Sequence, residues 1–268
     1  MAEIFGTRRA DQLFGTDEND LIRAGRGEDH IFSSLGDDTL YGGLGNDLIE
    51  DYEGVSTIYG MRGSDLISFA RGEAWGGLGN DTIVCNDSSW AADGALGGAV
   101  AVGGVGNDTL RGHGWLWGDQ APGMPEQPGG RDRLDLLPDG DGVWAHGGLG
   151  RDTFTVEAIG DGSAVIDDFR AGEDKLIAYG NWHDVPENLY GRLDATRDGV
   201  LDYRDSIGPD GDWTTPDGGA VYTDGTNLYL GLDATWAGTD ATDATCWLTL
   251  NNVTSVSAAD WLFPDGFD

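Results

Sequence analysis

The sequence predicts an all-β solenoid made of stacked short strands. Three observations predict it: a nine-residue phrase that keeps its phase over several turns, an aliphatic residue at the eighth place of the phrase, and an Asp at the sixth. The clearest copies run Gly42 to Glu50, Gly76 to Val84 and Gly103 to Arg111. A fixed short period of this kind belongs to repeat architectures, in which one unit cannot bury its apolar face alone.

The phase runs without a gap from Gly6 to Ser68. Copies beginning at Gly6, Gly15, Ala24, Ser33, Gly42, Asp51 and Gly60 place Asp11, Asp20, Asp29, Asp38, Asp47, Ser56 and Asp65 in the sixth column. They place Leu13, Ile22, Ile31, Leu40, Ile49, Ile58 and Ile67 in the eighth. A shortened stretch, Phe69 to Trp75, precedes the copy at Gly76 with Asp81. An insertion (85–102) precedes the copy at Gly103 with Asp108, and an isolated copy at Gly147 carries Asp152. The expected organisation is a continuous array over 1–84, an interrupted array with Trp- and Pro-rich insertions over 85–155, and a C-terminal β-rich cap over 156–268.

Each half of the phrase has its own physical role. Gly-Gly-x-Gly-x-Asp permits left-handed backbone angles and a tight turn, because glycine carries no Cβ to clash there. Such a turn aims carbonyls inward, and carbonyls with a carboxylate are the donors a hard cation prefers. The following x-aliphatic-x is a very short strand with one inward side chain. Two phrases then make one coil, with strands stacking into two parallel sheets and the aliphatic column filling the space between them.

The phrase resembles the repeat-in-toxin (RTX) nonapeptide, Gly-Gly-x-Gly-x-Asp-x-aliphatic-x, over roughly the first 155 residues. The resemblance implies a parallel β-roll holding several calcium ions between turns, through backbone carbonyls and the sixth-place Asp. Carried over copy by copy, the ligands are Asp11, Asp20, Asp29, Asp38, Asp47, Asp65, Asp81, Asp108 and Asp152, with a weak or empty site where Ser56 stands. Val165 to Ile177 and Leu248 to Phe263 resemble the C-terminal region of serralysin-type RTX exoproteins. That resemblance implies export from a Gram-negative bacterium by type I secretion machinery reading an uncleaved C-terminal signal. The terminal Pro264-Asp265-Gly266-Phe267-Asp268 departs from the short apolar terminus of those proteins.

A second metal candidate lies at 194–205, which resembles an EF-hand loop. Asp194, Thr196, Asp198, the Val200 carbonyl, Asp202 and Asp205 take the ligand places and Gly199 takes the turn. Thr196 stands where Asp or Asn is usual, Asp205 where a longer Glu is usual, and Pro209 cuts short a following helix.

Composition agrees with a cation-loaded fold. A formal net charge of −33 on 268 residues repels itself in any compact state, and bound divalent ions would remove much of that repulsion. The same charge argues against nucleic acid and anionic membranes as partners. No apolar run is long enough to span a bilayer, and Met1-Ala2-Glu3 opens straight into the first copy without a leader pattern. Weak calcium modules fill outside the cell, so the expected localisation is extracellular, with cell-surface association open. Cys85 and Cys246 are the only cysteines, so no disulfide framework is expected.

The four histidines, His30, His113, His146 and His183, show no zinc spacing, and no nucleophile elbow is present. The insertions are the expected home of any specific ligand site. They carry Trp90, Trp115, Trp117 and Trp144, with His113 and His146 nearby, and exposed aromatics suit a sugar ring or a partner protein. Capping of the solenoid by these tryptophans is the plainer expectation. The sequence therefore points to a secreted, calcium-binding matrix, cell-surface or adhesive component that can self-associate. A lectin-like, glycan-binding module and a hydrolase with its active site in the insertions stand as alternatives.

Overall fold

The computed structural model describes residues 1–86, 98–121, 123, 128–138, 142–157, 162–179, 190, 193, 197–202, 220–223, 225–232 and 246–262. These residues are almost wholly strand and turn. Tyr190 and Leu193 are helical, and Ala258–Asp260 forms a short 3-10 turn. Contacts divide the chain into two units, one of Met1–Leu134 with Gly147–Gly150, the other of Asp135–His146 with Arg151–Asp268.

The first unit is a parallel β-roll. One sheet is built from β1 (Glu3–Phe5), β3 (Leu21–Arg26), β5 (Thr39–Leu44), β7 (Ser56–Arg62), β9 (Gly72–Leu78), β11 (Val100–Val105) and β13 (Gly114–Trp117). The facing sheet is built from β2 (Gln12–Phe14), β4 (His30–Phe32), β6 (Leu48–Asp51), β8 (Leu66–Phe69), β10 (Thr82–Cys85) and β12 (Thr109–Gly112). Alternate phrases feed alternate sheets, so each strand pairs in parallel with the strand one coil away. The eighth-place residues consequently stack in register: Ile4, Ile22, Leu40 and Ile58 in one sheet, and Leu13, Ile31, Ile49, Ile67, Ile83 and Leu110 in the other. Ile22, Ile31, Leu40, Ile49, Ile58, Ile67, Ile83 and Leu110 have no exposed surface. Each such burial is worth about 1.5–3 kcal/mol, a gain available only when a neighbouring coil supplies the cover.

The sequence irregularities do not disturb this register. The shortened Phe69–Trp75 stretch sets Ala74 beside Ile58, and β11 takes in the last residues of the expected 85–102 insertion, setting Ala101 beside Ala74. Both alanines are fully buried, so the inward column continues through these coils with smaller side chains. On the outer face of the first sheet the same register aligns Arg23, Tyr41, Tyr59 and Trp75. Tyr41 and Tyr59 stack at 5.0 Å, Tyr59 and Trp75 at 5.0 Å, and Arg23 lies over Tyr41 at 5.2 Å.

β14 (Arg133–Leu136) carries the chain from the first unit into the second. In the second unit β15 (Val143–His146), β17 (Gly162–Ile166) and β22 (Cys246–Leu250) pair in parallel, and β21 (Leu228–Gly231) and β20 (Ala220–Thr223) continue the sheet antiparallel. β16 (Thr153–Glu157) pairs in parallel with β18 (Lys175–Tyr179), and β19 (Val200–Leu201) pairs antiparallel with β23 (Val256–Ser257). Phe154, Ile166, Leu176, Leu230, Leu248 and Leu250 are fully buried there. The 3-10 turn is fixed by Asp260, whose carboxylate accepts the Gly172 N–H at 2.6 Å and the Ser257 hydroxyl at 2.7 Å.

Candidate metal centre

The sixth-place aspartates line up along the edges of the roll. Asp29, Asp38, Asp47, Asp65, Asp81 and Asp108 are each at most 2% exposed, which for six carboxylates requires compensation. Half of that compensation comes from the backbone. The Oδ1 of each accepts the N–H of the sixth-place residue one coil earlier: Asp11 to Asp29 at 2.8 Å, Asp29 to Asp47 at 2.9 Å, Asp47 to Asp65 at 2.8 Å and Asp81 to Asp108 at 2.7 Å. A second ladder runs the opposite way from the fifth place. Asn46 accepts the Ser64 N–H at 2.8 Å, and Asn80 accepts the Asn107 N–H at 2.9 Å.

The carboxylate column extends beyond the residues that the phrase identifies. Asp108 N–H donates to Asp132 at 2.8 Å, and in the second unit Asp152 N–H donates to Asp174 at 3.0 Å. Asp132 sits in Gly129-Gly130-Arg131-Asp132-Arg133-Leu134, a phrase that has lost only its opening residues. Asp174 in Ala171-Gly172-Glu173-Asp174-Lys175-Leu176 is a more degraded copy of the same kind. The fifth-place ladder has no signal in a pattern that treats that place as free.

The second carboxylate oxygen separates the copies into two kinds. In Asp29, Asp38, Asp47, Asp65, Asp81 and Asp108 the Oδ2 is buried and makes no hydrogen bond. In Asp11, Asp20 and Asp174 the Oδ2 accepts the N–H of the second-place residue, from Thr7 at 2.5 Å, Thr16 at 2.6 Å and Arg170 at 2.7 Å. Backbone handedness at the second place accounts for the division. Gly25, Ser34, Gly43, Met61, Gly77 and Gly104 all have positive φ, and they precede the six bare oxygens. Thr7, Thr16 and Arg170 do not, and their N–H groups fold onto the carboxylate. A left-handed second place therefore withholds the donor that would otherwise satisfy the Asp.

The electrostatics follow the same division. Burial pushes Asp38, Asp47, Asp65 and Asp108 up to about 6 and Asp81 up to about 7, with neighbouring carboxylates adding to the rise. Asp20 moves the other way. Burial acts upward on it, but the Ala2 and Thr16 N–H groups and the Thr16 hydroxyl outweigh that and hold it below the ordinary value.

The bare oxygens face further oxygen donors. A methyl group placed on Gly42 would lie 2.5 Å from Asp47 Oδ2 and 2.9 Å from the carbonyl of Gly60 in the next coil. At Gly103 it would meet Asp108 Oδ2 at 2.5 Å and the Gly118 carbonyl. A buried, anionic, oxygen-only donor set with no hydrogen-bond donor aimed at it fits a hard divalent cation, and calcium accepts such a mixture of carboxylate and carbonyl ligands. The model of the RTX calcium-binding nonapeptide repeat, four copies, matches residues 5–40 and 41–73. The N-terminal array is an RTX calcium-binding repeat. The chain matches no curated protein.

Outside the RTX array the other expected site residues are placed as follows. Asp152 is buried and lies 3.7 Å from Arg170, so a guanidinium already faces it. In the EF-hand-like loop Asp194, Thr196 and Asp205 lie outside the described residues. Asp198 accepts the Val200 N–H at 3.0 Å, Gly199 has φ +78°, and Val200 pairs with Ser257 as part of β19, with Asp202 just beyond it. His146 meets Asp167 at 2.7 Å and Asp168 at 3.5 Å, and the donor atoms of the three lie within 4.8 Å of one another. His113 and His146 belong to different units. Trp115 and Trp117 lie with parallel rings 6.3 Å apart, and Trp115 is 37% exposed. Trp90 and His183 lie outside the described residues.

Proposed function

We propose that this protein is a secreted RTX component whose folding is switched on by extracellular calcium, and that it then acts through its surface as a matrix, cell-surface or adhesive element. The observation that carries this reading is the set of six buried Oδ2 atoms without a hydrogen bond, at Asp29, Asp38, Asp47, Asp65, Asp81 and Asp108. These are the ions' protein-side ligands in the proposal, together with carbonyls such as those of Gly60 and Gly118. Bound calcium supplies the positive charge that the buried carboxylates lack. Asp11 and Asp20 close the first coils through hydrogen bonds instead.

Calcium at extracellular concentration occupies weak repeat sites that a cytosolic concentration leaves empty. The chain would thus stay expanded before export and fold after it, which suits passage through type I secretion machinery. A surface role draws support from the regular outer face, where Tyr41, Tyr59 and Trp75 stack in a rigid ladder. Their ring faces cover one another, so this stripe presents edges to a partner and not platforms to a sugar. A glycan-binding role rests instead on Trp115 and Trp117, whose parallel rings include one face that is partly exposed.

The test is a calcium titration of the full chain followed by circular dichroism and sedimentation. Calcium converts an expanded chain to β-structure cooperatively and equal magnesium does not, because magnesium sheds its water reluctantly and prefers tighter octahedral cages. A spectrum indifferent to calcium removal would sink the folding switch. Calcium-dependent self-association supports the adhesive role, whereas glycan-induced quenching of tryptophan fluorescence in a chain that stays monomeric favours the lectin reading.

A further inference from the structure

The copy that lost its sixth-place carboxylate has kept the carboxylate by another route. In this copy the first place holds Asp51 and the sixth holds Ser56. Elsewhere the first place points at the oxygen of its own sixth-place Asp: a methyl on Gly42, Gly60 or Gly103 would run into the Oδ2 of Asp47, Asp65 or Asp108. A carboxylate at the first place therefore enters the space that the missing Oδ2 leaves.

The two residues divide the work of one aspartate. Ser56 Oγ accepts the Asp38 N–H at 3.0 Å, the ladder bond that Oδ1 makes in every neighbouring copy. Asp51 supplies the other half. It is 2% exposed, its Oδ1 accepts the Glu53 N–H at 3.3 Å, and its Oδ2 is buried without a hydrogen bond. The Ser33 and Ser56 side chains act on its charge from nearby, with Ser33 Oγ itself donating to the Glu50 carbonyl at 3.5 Å, and the charge of Asp51 reaches Asp38, whose own Oδ2 is also buried without a hydrogen bond. The result is two buried carboxylates and two buried hydroxyls, Ser33 and Ser56, gathered at one edge of the roll. A cationic side chain, Arg71, also acts on Asp51.

We infer that Asp51, with Asp38 and the Ser33 and Ser56 hydroxyls, forms a calcium site in the copy where the RTX pattern has none. The inference rests on the calcium reading of the array. It adds one site after Asp38 on this edge, at the copy where Ser56 holds the sixth place; in the next coil Gly72 pairs with Ser56 and brings no carboxylate.

Bound calcium is counted on the full chain by equilibrium dialysis against calcium alone, for the unaltered protein, D51N and the double variant D51G/S56D. D51N keeps the shape and removes the charge, and is expected to bind one ion fewer at saturation. D51G/S56D restores the ordinary Gly-and-Asp arrangement and is expected to regain the full number. If D51N binds as many ions as the unaltered chain, the inference is overturned. It is equally overturned if D51N loses an ion, or fails to fold, and D51G/S56D does not recover, since the loss then reflects damage at position 51 and not a displaced ligand. A count of zero in the unaltered chain is a different failure and removes the calcium reading of the whole array.

Discussion

Calcium removal at different pH values probes the buried carboxylates directly. Burial raises Asp38, Asp47, Asp65 and Asp108 from the ordinary 3.8 to about 6 and Asp81 to about 7. At about 1.4 kcal/mol per pH unit, ionising one of them in the metal-free fold costs about 3 kcal/mol. Taken over the column, that rivals the roughly 5–15 kcal/mol that holds a whole domain together. The folded, metal-free state binds more protons than the unfolded chain between pH 3.8 and about 6 to 7, because these groups are raised and not lowered on folding. Its stability is accordingly greatest below the ordinary carboxylate value, declines as pH rises through that window, and has lost the full contribution above about 7. Far-UV circular dichroism and sedimentation in chelator should show compact β-structure near pH 4 to 5 and an expanded chain at pH 7, with calcium restoring the fold at pH 7. D47N, which cannot ionise, should keep its metal-free structure to a higher pH than the unaltered chain. Metal-free β-content that is flat between pH 4 and 8, or that rises with pH, refutes the argument.

Three other outcomes follow from the same geometry. D47A should lower calcium uptake measured by dialysis, whereas D11A should leave it nearly unchanged, because Asp11 Oδ2 is engaged by the Thr7 N–H and Asp47 Oδ2 is not. Met61 holds φ +82° at a second place that glycine fills in its neighbours, so M61G should raise the denaturation free energy in saturating calcium by about 1 kcal/mol, read from urea midpoints. T16G/E18G gives the second copy the glycines that turn the N–H away from the carboxylate. It should gain a calcium ion by dialysis and lose stability in chelator, and a variant that does neither would show that second-place handedness does not govern the site.

Much of the roll is legible in the phrase because stacking is a one-dimensional problem. Ile22, Leu40 and Ile58 recur every 18 residues, a distance that sequence and space share when each coil lies on the last. The same logic finds Asp29, Asp47 and Asp65. It fails for Asp132 and Asp174, whose copies kept the carboxylate and the inward Leu134 and Leu176 but lost the opening residues that announce the phrase. It also passes over Asn46 and Asn80, because their role is to accept a backbone N–H from the next coil, and a single copy gives no hint of that donor. The position of Ser56 marks the opposite limit: read along the chain it is a missing ligand, and read across the coil it stands beside Asp51.

By itself the sequence determined the β-roll, its period, its buried aliphatic column and its match to calcium-binding RTX repeats, since all of these follow from which residue types recur at a fixed spacing. Only the tertiary structure decided which carboxylates are bare and which are already hydrogen-bonded. That choice depends on the φ angle of a residue four places before each Asp and on donors one coil away, and neither is a property of the Asp or of its local phrase. A period in sequence locates equivalent side chains, whereas the bonds left unmade around each one are set by the fold that surrounds it.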